Sequence, residues 1–587
     1  MAFIFHWFIS GRIVASKNSS AFRNKFLPQR RQRTTTIRQP PPRAPPTGQN
    51  GGAANTTIVS RLANLSQLET SRRHVDNKED PYVIMLVTCY SESIKEIEKT
   101  VRSLATTDYA DHKKLLFLVA DGLVTGKDQV ISTPDVVIGL IRRLNGEEVY
   151  LAIADGRKQH NMAQVYAGHY IPKDDEGKVL DENARVPIVG IVKCGTPEER
   201  GLLPGTKREG KPGNRGKRDS QMLLMNFLSS VSAQPHARMT PLDYDLACKI
   251  KSIEGTCPSE HSLVLMVDAD TAVHEDSLFF MVQAMVNDPK IMGLCGETRI
   301  ANKTDSFVTK IQVFEYYISH HLGKAFESVF GGVTCLPGCF SMYRIRGETL
   351  NGDLGNDSET GKEFVPILIE PEIIDYYKEF IVDSLHKKNL LLLGEDRYLT
   401  TLMLSRFPKR RLIFVPQATC ETTVPHTFKQ LFSQRRRWIN STIHNLLELL
   451  RVDNLCGIFC LSMKFVILLE LIGTVVLPVA VSLMFVLLIS AMFTGPSLPL
   501  YMLLVTLLLP GVLILCTTFE LEYIGWMFVY LGGLPVWNFA LPLYAFWNFD
   551  DFSWGETRRV AGEVATTGNH HGENDGQFKI GDVKTYT

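Results

Sequence analysis

The chain has 587 residues, 45% hydrophobic and 21% charged, which suits one large soluble domain plus membrane segments rather than a single core. Its 63 Lys and Arg against 62 Asp and Glu leave a net charge of +1, which argues against nucleic acid as the main partner, since a polyanion binder carries a strong basic excess. Eleven cysteines without a Cys-x-x-Cys pair fit reduced thiols facing the cytosol, with no zinc site or disulfide framework indicated; Cys335 with Cys339 and Cys456 with Cys460 stand at helical spacing.

Residues 1–76 divide into an apolar stub, Ala2 to Ile9, and a basic tract rich in Arg, Thr and Pro that reads as disordered. The basic residues follow the apolar ones, the reverse of a signal peptide, and the stub is far shorter than the roughly 20 residues a spanning helix needs. Two readings stand: a frayed tail, or an interfacial anchor whose arginines sit on anionic lipid headgroups.

From Pro81 short apolar runs alternate with helical patterns. Tyr82 to Thr88 and Leu115 to Ala120 read as buried parallel strands, and Glu92 to Leu104 places Ile94, Ile97, Val101 and Leu104 at helical spacing between them. A further strand, Ser262 to Val267, runs into Asp268 and Asp270. Ligands of an open α/β sheet bind beyond the carboxyl ends of its strands, so Tyr90, Glu92, Asp121, Asp268 and Asp270 are expected to share one pocket. The stretch from Gln159 to Asp219 interrupts the pattern with Gly, Pro and alternating charge. Its end, Lys217-Arg218-Asp219-Ser220, enters a helix, where a lysine and free amides make a phosphate-binding corner; a solvated loop is the other reading.

Two carboxylates one residue apart at a strand end can hold a divalent ion that bridges the phosphates of a nucleotide sugar. Asp396, in Gly394-Glu395-Asp396-Arg397, can serve as the base that takes an acceptor hydroxyl proton, or as a helix N-terminal carboxylate, or both. Gln434-Arg435-Arg436-Arg437-Trp438 reads as part of an interfacial helix. Guanidinium groups grip pyrophosphate through paired hydrogen bonds, and an indole offers a flat face to a sugar ring.

Two apolar spans follow, about Met463 to Ser490 and Leu498 to Phe519, with Pro496 and Pro499 in the turn between them. A third stretch, Tyr523 to Trp547, contains Gly532, Gly533 and Pro535 and is expected to be broken or re-entrant there, lining a path for polymer. Arginines at both ends of the block, 435–437 and 558–559, place both ends in the cytosol and call for an even number of crossings. Together these features describe a membrane-embedded sugar polymerase.

The Asp268–Asp270 pair, Cys295-Gly296-Glu297-Thr298-Arg299-Ile300, Leu336-Pro337-Gly338-Cys339-Phe340, Glu395-Asp396-Arg397, Gln434 to Trp438 and Ser553-Trp554-Gly555-Glu556-Thr557-Arg558 follow in the order of fungal chitin synthases. The chain resembles that family from about Pro81 to Arg559, in the division whose longer relatives carry extra N-terminal domains. The resemblance implies a family 2 glycosyltransferase: an α/β GT-A-like catalytic domain followed by interfacial and transmembrane helices, adding N-acetylglucosamine from UDP-GlcNAc to β-1,4-linked chitin. It implies that Glu92 and Asp121 hold the uridine end of the donor, that Asp268 with Asp270 holds the diphosphate and its Mg²⁺ or Mn²⁺, the metal on Asp270, and that Asp396 is the base. Tyr90, by its strand-end position, and Lys217, by its helix entry, join the donor-binding residues. Gln434, Arg435, Arg437 and Trp438 would hold the diphosphate and the acceptor end, and Trp554 would belong to a mobile element over the site. The usual N-terminal transmembrane pair is not seen before Pro81, so the exit channel is expected to be incomplete in this chain alone.

The implied organisation is a tail at 1–76, a cytosol-facing catalytic domain at 77–430, interfacial helices at 431–460, transmembrane helices at 461–547 and a C-terminal element at 548–587, in a multi-pass plasma-membrane protein. Its partners would be UDP-GlcNAc, nascent chitin and membrane lipid, with self-association left open. A hyaluronan- or cellulose-type synthase shares the metal pair, the Gln-Arg-Arg-Arg-Trp run and the membrane exit. An inactive scaffold of the same fold is the other alternative.

Overall fold

The computed structural model describes residues 80–553 apart from 127–128, 142–148, 154–159, 175, 181–183, 233–238, 331, 351–363, 379–381, 383, 453–462, 496 and 518–520. The expected tail at 1–76 and the segment from Trp554 onward therefore lie outside the described residues.

In chain order the first part comprises β1 (Tyr82–Cys89), α1 (Ile94–Ala105), β2 (Lys114–Ala120), α2 (Thr133–Gly139), β3 (Val149–Ile153), β4 (His160–Tyr170) and β5 (Val186–Lys193). Then come α3 (Lys217–Ser232), α4 (Pro241–Glu254), β6 (His261–Asp268), β7 (Thr271–Val273), α5 (Ser277–Asn287), β8 (Ile291–Ile300) and α6 (Phe307–Tyr317). A π-helical turn, Ile318–Gly323, leads into α7 (Lys324–Phe330), β9 (Phe340–Arg344), β10 (Arg346–Glu348), β11 (Phe364–Pro366) and α8 (Pro371–Tyr377). The α/β half closes with α9 (Leu385–Leu393), α10 (Glu395–Arg406) and β12 (Arg411–Thr422). Helices α11 (Phe428–Arg451), α12 (Met463–Thr494), α13 (Leu498–Thr517) and α14 (Leu521–Pro535) follow, and a π-turn, Val536–Ala540, joins α14 to α15 (Leu541–Trp547).

Among the described residues the main sheet has ten strands in the order β3-β4-β5-β2-β1-β6-β9-β8-β12-β7. Its centre, β5-β2-β1-β6, is parallel, with Cys89 opposite Ala120, Ala120 opposite Val192 and Thr88 opposite Asp268. Carboxyl ends of four strands thus lie along one edge, which brings residues just past them within reach of one ligand. Strand alternation splits β1 between two layers: Val83, Met85 and Val87 pack with Ile97, Val101 and Leu104 of α1, while Ile84 and Leu86 join the core that holds Met222 and Met225 of α3. Ser93 starts α1 through a reciprocal capping box with Glu96, which turns the chain away just after β1 and leaves Tyr90 and Glu92 at the strand end.

Three features differ from expectation. The stretch after Gln159 is not an interruption: it contains β4 and β5, and β5 is buried throughout, carrying the parallel centre one strand further. The antiparallel partner β4 carries Asn161, Gln164 and His169 without a regular alternation, which masked it among charged neighbours. Cys335 and Cys339 flank the Leu336-Pro337-Gly338 turn rather than one helix face, and Cys456 and Cys460 lie outside the described residues.

The third difference concerns the apolar block. Among the described residues Met463–Thr494, Leu498–Leu515 and Leu521–Trp547 are each long and apolar enough to cross a membrane, three helices where the flanking arginines call for an even count of crossings. The last is not broken at its glycines. Gly533 packs so closely on Ile311 of α6 that an added Cβ would lie 3.2 Å from Ile311 Cγ2. Past Pro535, whose ring cannot take part in the ordinary helical hydrogen bonding, the backbone widens to a π-turn and continues.

Candidate active site

Lys217 is the first residue of α3, where the helix dipole and free amides favour anions. Its Nζ donates to Asp268 Oδ1 at 2.5 Å and to the Gly338 carbonyl at 3.2 Å. The Gly338 N–H in turn donates to Asp396 Oδ2 at 2.9 Å, and Asp396 Oδ1 accepts the N–H of Arg397 at 2.8 Å. One lysine and one glycine therefore bring the end of β6, the Leu-Pro-Gly turn and the start of α10 together. Burial works against the Lys217 charge, but Asp268, Glu395 and Asp396 outweigh it and hold its pKa above the ordinary lysine value.

Asp121, one residue past β2, sits in a second cluster. Its Oδ1 accepts from Lys193 Nζ at 2.7 Å and from the Arg215 N–H at 3.1 Å, and its Oδ2 accepts from the Gly216 N–H at 2.9 Å. Lys193, at the end of β5, is completely buried and also reaches Asp219 Oδ2 at 2.7 Å. Burial alone would drive its pKa down, yet Asp121 and Asp219 raise it. The pair thereby anchors the loop that delivers Lys217. Glu92 is buried and accepts the Tyr90 N–H at 2.6 Å, while Lys211 lies over the Tyr90 ring at 5.8 Å.

Asp268 and Asp270 are half-buried at one strand end, and among the described residues no group of three or more His, Cys, Asp or Glu side chains forms a metal cage. Two carboxylates without further protein ligands suit a hard divalent ion whose remaining positions are filled by phosphate oxygens and water.

The Gln434–Trp438 run lies in α11, and its arginines diverge because successive helical residues point about 100° apart. Arg435 makes a forked pair with Glu315 of α6, at 2.7 Å and 3.3 Å. Arg436 pairs with Asp551 and donates to the Ser553 carbonyl. Arg437 is buried on the side of Glu395; burial pushes its guanidinium down to about 10, with Glu395 pulling the other way. Trp438 is half-buried 6.4 Å from Tyr316, and Gln434 Oε1 is buried without a hydrogen-bond partner. Trp554 lies outside the described residues.

The structure thus unites Lys217, Asp268 and Asp396, places Asp121 over Lys193, and engages Arg435 and Arg436 with carboxylates. Sequence reasoning missed Lys193, Asp219, Glu315 and the Gly338 amide. Lys193 had a signal: it ends an apolar run, Val186 to Val192, as Asp268 ends its own. Glu315 had none, since only tertiary packing sets it opposite Arg435.

A mixed α/β sheet with its polar cluster at the parallel-strand ends, followed by apolar helices long enough to span a membrane, resembles the GT-A glycosyltransferase fold with a C-terminal apolar block. The family described as chitin synthase matches residues 55–586, and the chain belongs to that family. Chitin synthase C of Emericella nidulans is 53% identical over 506 residues, covering 85% of this chain and 40% of the relative. Chitin synthase 4 of Neurospora crassa is 52% identical, covering 85% and 39%, and chitin synthase 5 of Mycosarcoma maydis is 53% identical, covering 84% and 30%. The chain thus spans well under half the length of these relatives. Among solved structures, a Pyrobaculum calidifontis mannosyltransferase in complex with GDP-Man and Mn²⁺ is 14% identical with a TM-score of 0.38, covering 84% of this chain and 96% of that one. Residues 1–349 of S. aureus TarS in complex with UDP are 12% identical with a TM-score of 0.28, covering 67% and 71%.

Proposed function

We propose that the chain transfers N-acetylglucosamine from UDP-GlcNAc to the growing end of β-1,4-linked chitin, processively and with inversion, at the cytosolic face of the plasma membrane. The observation that carries this reading is the Lys217–Asp268–Gly338–Asp396 cluster, built at the strand ends of a chitin synthase family chain.

In this reading Tyr90, Glu92 and Asp121 border the nucleoside, and Lys217 faces the diphosphate. Asp396 takes the acceptor hydroxyl proton as that oxygen bonds to the anomeric carbon and the bond from that carbon to the β-phosphate oxygen breaks. The electron pair leaves with UDP. A divalent cation held by Asp268 and Asp270 would supply charge neutralisation for the departing diphosphate. Trp438 offers its ring to the acceptor sugar, and the helices from Met463 onward lead the product into the bilayer. Catalytic domain, interfacial helix and membrane block correspond to 77–430, 431–460 and 461–547.

Membranes carrying the chain are expected to convert labelled UDP-GlcNAc into chitinase-sensitive polymer, and Asp270→Asn to weaken UDP binding in the presence of Mg²⁺ or Mn²⁺ far more than in its absence. Incorporation of a different UDP-sugar into chitinase-resistant polymer overturns the donor assignment.

A further inference from the structure

Arg435 belongs to the basic run expected to hold the diphosphate, but its guanidinium is engaged elsewhere. Both terminal nitrogens face Glu315, at 2.7 Å and 3.3 Å, and the side chain is only 7% exposed. Its guanidinium carbon lies over three aromatic rings: Trp438 at 4.2 Å, Trp537 at 4.9 Å and Tyr316 at 5.5 Å from the ring centroid. Nε is the one guanidinium nitrogen without a hydrogen-bond partner, and the two terminal nitrogens, whose pairing a diphosphate grip takes, already fork to the carboxylate.

These rings come from three elements. Tyr316 is on α6, Trp438 on α11, and Trp537 on the π-turn inside the last apolar helix. A guanidinium is planar and weakly hydrated, so it can fork to a carboxylate along its edge while stacking on indoles across its faces, which a lysine cannot do. The guanidinium thus lies against both the Trp438 ring and Trp537 of the apolar helix.

We infer that Arg435 is a positioning residue acting through Trp438: it holds the indole as a rigid platform for an acceptor sugar and ties that platform to the exit helix at Trp537. This rests on the reading of Trp438 as the acceptor surface. Arg435 then governs how the polymer end is seated and advanced, while nucleotide binding falls to Lys217 and its neighbours.

The test uses the full chain in lipid nanodiscs, comparing wild type with Arg435→Lys and Glu315→Gln. Three quantities are read: UDP affinity, the KM for a short chito-oligosaccharide acceptor, and hydroxyl-radical oxidation of Trp438 by mass spectrometry. Losing a desolvated stack is expected to raise the acceptor KM at least about tenfold and increase Trp438 oxidation, with UDP affinity within about twofold. A loss of UDP affinity with unchanged Trp438 oxidation would show Arg435 to be a phosphate ligand and overturn the proposal. Unchanged acceptor KM and oxidation in both variants would also overturn it. Glu315→Gln keeps the shape of the pair and serves should Arg435→Lys not fold. Because oxidation is read without turnover, a wild type that makes no polymer sinks the donor assignment and leaves this arm intact.

Discussion

The backbone N–H of Gly338 donates to Asp396 Oδ2 at 2.9 Å, and a Cβ on Gly338 would lie 3.0 Å from Lys217 Nζ and 3.3 Å from Asp396 Cβ. Glycine at this position lets a cation and a carboxylate approach the same backbone from two sides. The Lys217 tip can move aside, but the Asp396 Cβ is fixed by α10. Gly338→Ala is therefore expected to displace Asp396 and lower kcat by about ten- to a hundredfold, as sub-ångström misplacement of a reacting group does. Steady-state kinetics against a thermal melt check it; a variant with wild-type kcat would contradict the placement.

Asp396→Asn keeps the shape and the Gly338 contact but cannot accept a proton. Turnover is expected to fall by roughly 10²- to 10⁴-fold, the usual contribution of a positioned general base, while UDP affinity stays near wild type. Retained turnover would assign the proton to another group.

Lys193 supports the site from below. Its removal in Lys193→Met leaves Asp121 and Asp219 facing each other in the interior without a cation, since Lys193 is the ion-pair partner of both. Breaking a buried pair in this way costs about 3–5 kcal/mol. The expected outcome is a large fall in the thermal midpoint. Lys193→Arg, which keeps the charge but is bulkier, should recover part of it. A melt unaltered in Lys193→Met would show that the two carboxylates are satisfied by backbone amides alone.

Glu297 of β8 accepts from His321 Nδ1 at 3.0 Å and from Arg299 Nε at 3.0 Å. Burial would raise its pKa, but His321 and Arg299 hold it down at about 2, against an ordinary 4.5. A depressed carboxyl contributes stability that is present above the unfolded value and lost as pH falls through the folded one. The shift corresponds to about 3 kcal/mol. Glu297→Gln should thus be less stable than wild type near neutral pH, and the gap should shrink between pH 4.5 and 2. Melts across that range test it, and a gap independent of pH would remove the ion cluster as its cause.

Much of the site was legible because strand ends carry a simple signature. An apolar run that stops at a carboxylate marks the ligand edge of a parallel sheet, and this placed Asp121 and Asp268 correctly on that edge. The roles of individual arginines were not legible. Three in a row look alike in sequence, yet helical rotation sends Arg435 to Glu315 and Arg436 to Asp551. The third apolar stretch misled for a related reason: a glycine pair and a proline read as a break, whereas Gly533 serves close packing on Ile311.

Periodicity and motif order were by themselves enough to establish an α/β domain, a cluster of carboxylates at its strand ends and an apolar block behind a basic run. Those are properties of residues near one another in the chain. Which cation meets which anion was decided only by folding. Lys193 reaches Asp121, Lys217 reaches Asp268 and Arg435 reaches Glu315 across separations that no local pattern encodes. Each buried charge takes the partner that packing brings to it, because leaving it alone in a low-dielectric interior costs more than any local preference can repay.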